Sequence, residues 1–73
     1  MNQKEFIKNL KNQYVDPEEI QLEMSTKFKE LDSFDSLTGM SIIVFIKDEF
    51  NIDVSLKDFK AIETVQQLYD HIS

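Results

Sequence analysis

The stretch that decides the fold is residues 34–40, which read Phe34-Asp35-Ser36-Leu37-Thr38-Gly39-Met40. Asp35 is a good N-cap, because its carboxylate can accept hydrogen bonds from the free N–H groups that open a helix. Ser36 then occupies the first helical position, exposed at the positive end of the helix dipole. A hydroxyl beside a helix terminus that favours anions is well placed to carry a phosphodiester.

An unbroken apolar run, Ile42 to Ile46, follows inside a predicted second helix over residues 36–50. A helix that is apolar on nearly every side is expected to be buried on every side. A chain of 73 residues can seldom achieve this, so we expect part of the helix to stay exposed for a partner. At roughly 100° per residue, the core face collects Gly39, Ile42, Ile43, Ile46 and Phe50. The outward face collects Leu37, Met40, Ser41, Val44 and Asp48.

The composition limits the class of protein. The 73 residues predict a single domain over residues 1–73, with a formal net charge of −6 and no Cys. Without Cys there is neither a disulfide nor a thiolate metal site. The acidic balance argues against nucleic acid and anionic membrane as partners and suits a basic protein surface. Because the apolar run is too short for a membrane span and the first residues lack the core of a signal peptide, we expect a monomeric cytoplasmic protein.

The chain before the second helix contains one further helix and a long loop. Apolar residues recur at helical spacing and predict a first helix over residues 3–14. Asp16 followed by Pro17 predicts a cap with Pro at the first helical position of a short turn. Residues 20–34 keep no sustained period, which predicts a long ordered loop pinned to the core by Ile20, Leu22, Met24, Phe28, Leu31 and Phe34. A loop of this length is uncommon in a compact domain unless it has a function.

Two capping patterns organise the end of the chain. Ser55 with Asp58 resembles a capping box with a shortened acid, and predicts a brief third helix that includes Phe59. Thr64 with Gln67 is a complete capping box that starts the last helix. The predicted fold class is therefore all-α: a four-helix bundle with a long loop between helices 1 and 2 and a short third helix.

The sequence shows no catalytic partner residues for Ser36. A nucleophilic Ser needs a base within hydrogen-bond reach and donors for an oxyanion. Nothing in the sequence brings His71, the only ordinary base, to the start of the second helix. The neighbouring acids Asp48 and Glu49 are more simply interpreted as part of a solvated helix face than as a catalytic pair. We therefore predict neither enzymatic activity nor a metal site. By local rules alone, Asp35 and Ser36 form only a helix cap. An exposed Ser at the start of an apolar helix that the fold cannot fully cover favours a functional role for this stretch.

The stretch Asp35-Ser36-Leu37, reached through Leu31-Asp32-Ser33-Phe34, resembles the attachment motif of acyl carrier proteins. The likeness covers almost the whole chain, including the helix end Asp48-Glu49-Phe50-Asn51-Ile52 and the closing segment Ile62-Glu63-Thr64-Val65. In that family the Ser of Asp-Ser-Leu carries 4′-phosphopantetheine, which a separate phosphopantetheinyl transferase adds. The resemblance implies a bundle of acyl-carrier type, with Ser36 as the attachment residue and Asp35 and Leu37 beside it.

The chain also departs from the common pattern of that family. Many members have Asp-Leu-Gly before the motif, where this chain has Leu31-Asp32-Ser33. The fatty-acid carriers usually place acids where Thr38, Ser41 and Lys47 stand here. An aromatic residue followed by Asp-Ser-Leu-Thr-Gly-Met is more like the specialised carriers that serve glycan, lipid or natural-product pathways.

Three functions remain open at this point. The first is an acyl carrier that holds an acyl group as a thioester on the arm at Ser36 and presents it to acyl-activating and acyl-transferring enzymes. The arm supplies the thiol that a chain without Cys lacks. The second is an amino-acid carrier on the same scaffold, as in peptidyl or D-alanyl carriers. The third is an interaction module without a prosthetic group, whose exposed apolar face holds a partner helix.

Two more expectations concern the second helix. Its partner-binding surface should consist of Leu37, Met40, Ser41, Val44, Lys47 and Asp48, with the apolar members as anchors and the charged members on the rim. Lys47 should repel a basic partner, which favours dedicated partner enzymes. Gly39 should mark either a close approach of the long loop or a neighbouring helix, or an entrance for a bound acyl chain, because Gly inside a helix costs about 1 kcal/mol relative to Ala.

Overall fold

The computed structural model describes residues 1–73, and all of its regular elements are helical. The α-helices are α1 (Gln3–Lys11), α2 (Ser36–Phe50), α3 (Leu56–Ala61) and α4 (Val65–Ile72). Two 3-10 turns, Pro17–Glu19 and Phe28–Glu30, lie in the segment between α1 and α2. The prediction of an all-α bundle with a long loop and a short third helix is confirmed. No helix combines the length and apolar character that a membrane span requires.

The first helix is shorter than the predicted 3–14, because a side chain replaces the backbone at its end. The Gln13 side chain donates to the Asn9 carbonyl at 3.0 Å, while the Gln13 backbone N–H turns to the Leu10 carbonyl at 3.1 Å. A side chain that takes a helical carbonyl offers the backbone an alternative to the next helical bond. The helix therefore ends at Lys11, and Tyr14 reaches the core from a turn.

The expected cap at Asp16 is wrong in one respect. Pro17 does open a single turn, as predicted, but the Asp16 side chain makes no capping hydrogen bond. The Glu19 backbone N–H instead donates to the Asp16 backbone carbonyl at 2.9 Å. The fixed φ of Pro suits the start of such a turn whether or not the preceding side chain caps it.

The long loop is pinned to the bundle as predicted. Its buried side chains are Ile20, Leu22 and Phe28, with Met24, Leu31 and Phe34 packed against the core. The buried Tyr14 hydroxyl donates to the Phe28 carbonyl at 2.7 Å. Backbone hydrogen bonds from the start of α4 to Thr26 and Met24, at 3.0 and 2.8 Å, hold the middle of the loop. Apolar burial and satisfied backbone groups together keep the loop ordered.

The predicted faces of α2 are confirmed, and the core face is wider than expected. Ile42 and Ile46 are fully buried; of the outward face, Leu37, Met40, Val44 and Asp48 are exposed and Ser41 is half-buried. Thr38 and Phe45, which the helical wheel did not assign to the core face, are also buried. The helix ends at Phe50, and the next residue, Asn51, has a left-handed backbone (φ 57°) and donates its N–H to the Lys47 carbonyl at 2.9 Å.

Caps and aromatic packing place the last two helices. The Asp58 backbone N–H donates to the Ser55 hydroxyl at 3.1 Å and starts α3. Thr64 and Gln67 form the complete capping box that starts α4. The ring of Phe6 in α1 meets the ring of Tyr69 in α4 with centroids 5.2 Å apart. These contacts close the bundle and leave the start of α2 at its surface.

Candidate functional site

Asp35 and Ser36 lie where the sequence placed them, as the N-cap and the first residue of α2. Asp35 Oδ1 accepts a hydrogen bond from the Thr38 backbone N–H at 2.8 Å. This hydrogen bond stabilises the ionised form and holds the pKa of the Asp35 carboxyl below its ordinary value. Ser36 is exposed, and its hydroxyl makes no hydrogen bond within the chain. The cap therefore does not occupy the Ser36 hydroxyl.

The Ser36 hydroxyl makes no hydrogen bond to a His side chain. His71, the single His, is exposed in the last turn of α4. No group of three or more His, Cys, Asp and Glu side chains comes together in a way that could hold a metal ion. The Ser36 hydroxyl is therefore exposed and has no hydrogen-bonded partner that could act as a general base.

Three apolar side chains beside Ser36 face the solvent. Leu37, Met40 and Val44 are 78%, 53% and 52% exposed, and we call them the apolar strip. The strip borders a groove of about 760 Å³ between α1 and α2 that is lined by Asn9, Asn12, Gln13, Leu37, Met40, Ser41, Val44, Phe45, Asp48 and Glu49. The amide side chains of Asn9, Asn12 and Gln13, from α1 and the turn after it, were not predicted, because their contribution depends on how this segment packs beside α2.

The polar residues around the apolar strip differ from the prediction in burial and in charge pairing. Ser41 is half-buried and Asp48 is exposed. Lys47 Nζ lies 3.3 Å from Asp53 Oδ2, and both side chains are largely exposed. An exposed ion pair contributes little stability, but Asp53 offsets part of the positive field that Lys47 presents to a partner. The partner of Lys47 was not predicted.

A second cavity, of about 310 Å³, opens directly beside Ser36 between α2, α3 and the long loop. We call it the Ser36 cavity, and its lining consists of Lys29, Phe34, Ser36, Gly39, Met40, Ile43, Leu56, Phe59 and Lys60. A Cβ atom at Gly39 would lie 3.3 Å from Phe34 Cζ and 3.5 Å from Phe59 Cε2. The predicted close approach of the loop and a neighbouring helix at Gly39 is therefore confirmed.

Most of the residues that line this cavity were not predicted from the sequence. Lys29 belongs to the second 3-10 turn, and Leu56 and Lys60 belong to α3. Only Leu56 gave an indication of this cavity. It is an apolar residue at the first position of α3, where the capping pattern requires none, and it is 63% exposed. The contacts that bring Lys29 to α3 join residues 30 and 31 positions apart, so no local pattern could reveal them.

The comparison with protein-family models decides the identity of this arrangement. Residues 11–72 match the model described as a phosphopantetheine attachment site. The chain belongs to this family. Comparisons with curated proteins and with solved structures gave no significant match.

Membership of the phosphopantetheine attachment family confirms several predictions. The resemblance to acyl carrier proteins and the prediction of covalent 4′-phosphopantetheine are borne out at the level of the family. The matched residues include the whole of α2 and the Ser36 cavity. The residues present fit the group: a free hydroxyl lies at a helix N-terminus, where the dipole favours a phosphate. The prosthetic group supplies a thiol on a flexible arm, and this chain supplies the anchor and the surfaces around it.

Proposed function

We propose that this protein is an acyl carrier protein whose 4′-phosphopantetheine is attached through a phosphodiester to Ser36. The observation that supports this most directly is the exposed, unbonded Ser36 hydroxyl at the first position of α2, within the family match. The acyl cargo is held as a thioester on the thiol of the arm. The chain performs no chemistry of its own, since Ser36 lacks a base.

The helix terminus supports a phosphodiester at Ser36. The Asp35 side chain accepts the Thr38 N–H at the start of α2, and the Ser36 N–H has no backbone acceptor. This N–H group and the positive end of the dipole stabilise a phosphate beside them. The negative charge of Asp35 opposes this at short range, but the carboxylate is exposed and solvent screens it.

An acyl cargo is favoured over an amino acid by the Ser36 cavity. Phe34, Ile43 and Phe59 supply its apolar walls, beside the attachment residue. Apolar walls gain free energy by covering an acyl chain, whereas the ammonium of an aminoacyl cargo loses hydration there. The amino-acid carrier remains the second candidate, because a short aminoacyl group can also stay in solvent at the end of the arm.

The partners we propose are a phosphopantetheinyl transferase and acyl-activating and acyl-transferring enzymes that dock on the apolar strip. Apolar anchors at the centre with charges at the rim are the usual arrangement of such interfaces. Few acids surround the strip: Asp48 and Glu49 lie at its far end. This supports dedicated partners of a specialised carrier rather than general fatty-acid enzymes.

Intact mass tests the attachment residue. The protein is expressed beside an active, broad-specificity phosphopantetheinyl transferase, and the expected result is a gain of one phosphopantetheine group. Ser36→Ala should abolish the gain with little change in melting temperature, because Asp35 and not Ser36 caps the helix. The matched control is Ser33→Ala: its hydroxyl is buried without a hydrogen-bond partner, and the variant should still be modified. Unmodified wild-type protein, or modified Ser36→Ala, would overturn the proposal.

A further inference from the structure

The Ser36 cavity has a charge opposite to that of the whole protein. The chain has a formal net charge of −6, yet the only charged residues of the cavity lining are Lys29 and Lys60. No Asp or Glu lines it. A cavity whose apolar walls include two cations and no anion is not explained by anchoring a hydrocarbon alone.

Lys29 is fixed in place but has no counter-ion. Its ammonium donates to the backbone carbonyls of Phe59 at 2.7 Å and Lys60 at 3.2 Å, and lies 5.1 Å from the centroid of the Phe59 ring. A Lys ammonium has three donors, so one N–H remains uncommitted. The ion pairs of the protein involve Lys27 and Lys47 and leave Lys29 without a carboxylate. Lys29 is therefore a positioned cation with spare hydrogen-bonding capacity.

Lys60 adds a second cation to the same cavity. It lies on α3 with no ion-pair partner, and its backbone carbonyl is one of the two groups that hold Lys29. The two lysines therefore belong to one structural unit, which joins the long loop to the end of α3. An anion entering the cavity would meet the positioned Lys29 ammonium beside aromatic and aliphatic walls, and the exposed Lys60 side chain can reach it from the rim.

We propose that the Ser36 cavity receives a short acyl cargo whose far end bears a carboxylate, with Lys29 and Lys60 as the groups that select it. This inference rests on the proposed attachment of the arm at Ser36. The volume of about 310 Å³ is at the lower end of the range for ligand sites, which favours a short chain. The apolar walls cover its methylene groups, and the ammonium groups pair with its terminal carboxylate.

The phosphodiester of the arm is a competing anion for the two lysines. It would be attached to Ser36, which lines the same cavity. The test must therefore separate an effect of the lysines on the cargo from an effect on the arm. A set of cargoes of one chain length, differing only in terminal charge, achieves this separation.

The experiment compares three loaded carriers made from wild-type protein by enzymatic transfer of acyl-phosphopantetheine from acyl-coenzyme A, with adenosine 3′,5′-bisphosphate as the leaving group. The probes are a hexanoyl group, an adipoyl group and the monomethyl ester of the adipoyl group. Complete loading at Ser36 is verified by intact mass. The readout is the rate of thioester hydrolysis, divided by the rate of the same thioester on free pantetheine, which removes any intrinsic difference between the cargoes. Phosphorus NMR of the unloaded arm reports separately on the phosphodiester.

The adipoyl cargo should be protected about two- to fivefold more than the hexanoyl and methyl-ester cargoes, as expected for partly exposed ion pairs. Lys60→Met and Lys29→Met, which keep an apolar stem, should each reduce this selective protection. Lys57→Met is the matched control, because Lys57 lies on the same short helix but does not line the cavity. Lys29→Met also loses two carbonyl contacts, so if it fails to fold, Lys60→Met alone decides.

The outcomes separate this inference from the proposed function. Equal protection of the three cargoes on fully loaded carrier overturns the carboxylate proposal and leaves the carrier function standing. A change in the phosphorus resonance in Lys29→Met and Lys60→Met, without selective protection of adipoyl, assigns the lysines to the phosphodiester and also overturns it. If no group can be loaded at Ser36, the proposed carrier function is overturned, and the proposal of a carboxylate-bearing cargo is overturned with it.

Discussion

Asp35 Oδ1 lies 2.8 Å from the backbone nitrogen of Thr38, and this hydrogen bond closes the first turn of α2 around Ser36. The cap therefore surrounds Ser36 without using its hydroxyl. The group that stabilises the helix is thus separate from the Ser36 hydroxyl, which stays available for the attachment that we propose. This separation also means that the helix end and the attachment can be changed independently.

The first prediction concerns pH and Asp35. Because the folded-state pKa of Asp35 is lowered by the Thr38 hydrogen bond, its contribution to stability is present above the unfolded-state pKa, about 4, and is lost as pH falls through the folded value. Asp35→Asn should keep the cap, since Asn and Asp cap equally well, but lose this pH dependence. Asp35→Ala should melt lower at every pH. Parallel acid profiles of wild type and Asp35→Asn would contradict the assignment.

The second prediction concerns the hydrogen bond that ties the long loop to α1. Tyr14→Phe leaves the buried Phe28 carbonyl without its donor at 2.7 Å and should reduce the free energy of unfolding by about 1–3 kcal/mol. Burial also raises the pKa of Tyr14 to about 12. The unfolded chain releases this proton near pH 10, so the advantage of wild type over Tyr14→Phe should shrink between about pH 10 and pH 12.

The control for Tyr14 is Tyr69→Phe. The Tyr69 hydroxyl donates to the Met1 carbonyl at 3.2 Å in an exposed position, where water can replace it. Its removal should cost clearly less than removal of the Tyr14 hydroxyl. Denaturant unfolding of both variants checks the comparison, and equal losses would show that the Tyr14 bond does not hold the loop.

The parts of this molecule that were predictable from sequence are those set by residues close together in the chain. The bond from Thr38 to Asp35 spans three positions, and the core and outward faces of α2 follow from one helical period. The end of α1 was mispredicted because the Gln13 side chain competes with its own backbone. That competition leaves the spacing of apolar residues unchanged, so periodicity could not indicate it.

The Ser36 cavity was unpredictable for a different reason. Its cations come from the long loop and from α3, and the bonds that join them connect Lys29 with carbonyls at positions 59 and 60. Each of these lysines looks like an ordinary surface Lys in its local sequence. Only the packing of the loop against α3 brings them to the cavity that Ser36 lines.

The third prediction concerns Gly39. Gly39→Ala gains helix propensity, about 1 kcal/mol, but its Cβ would stand 3.3 Å from Phe34 Cζ. We expect the ring to shift slightly, so that the gain in free energy of unfolding stays below about 1 kcal/mol. The same shift should narrow the Ser36 cavity and reduce protection of a loaded thioester. Melting and hydrolysis are measured on the same preparation, and a more stable protein with unchanged protection would exclude Gly39 as part of an entrance.

The fourth prediction concerns partner choice. The double variant Lys47→Glu and Ser41→Glu adds negative charge to the rim of the apolar strip, and general fatty-acid enzymes should use it better than wild type, chiefly through faster association. Lys47→Glu also breaks the exposed pair with Asp53, at a cost in stability of about 1 kcal/mol or less. Turnover at low and high salt tests this: the gain should fade as salt screens the charges. Efficient use of wild-type carrier by those enzymes would count against dedicated partners.

The last prediction concerns the centre of the apolar strip. Met40 is 53% exposed and lies between Leu37 and Val44, so a partner that docks there would bury it. Met40→Glu places a charge where the interface would become dry, and such a charge loses hydration without gaining a matched partner. Docking should weaken at least tenfold, because loss of one buried anchor commonly costs more than about 1.4 kcal/mol. Modification by the phosphopantetheinyl transferase is the first docking event that can be measured.

Folding provides the decisive control for Met40→Glu. Surface substitutions usually change stability by no more than about 0.5 kcal/mol, so the melting temperature should stay close to that of wild type. Val15→Glu is the matched variant: Val15 is 82% exposed and lies outside the apolar strip and both cavities that border it, so its transferase kinetics should be unchanged. Collapse of the fold in Met40→Glu would mean that Met40 belongs to the core. If Met40→Glu folds and is modified at the same rate as wild type, the transferase docks elsewhere. A carboxylate buried without a partner in the interface would have weakened docking.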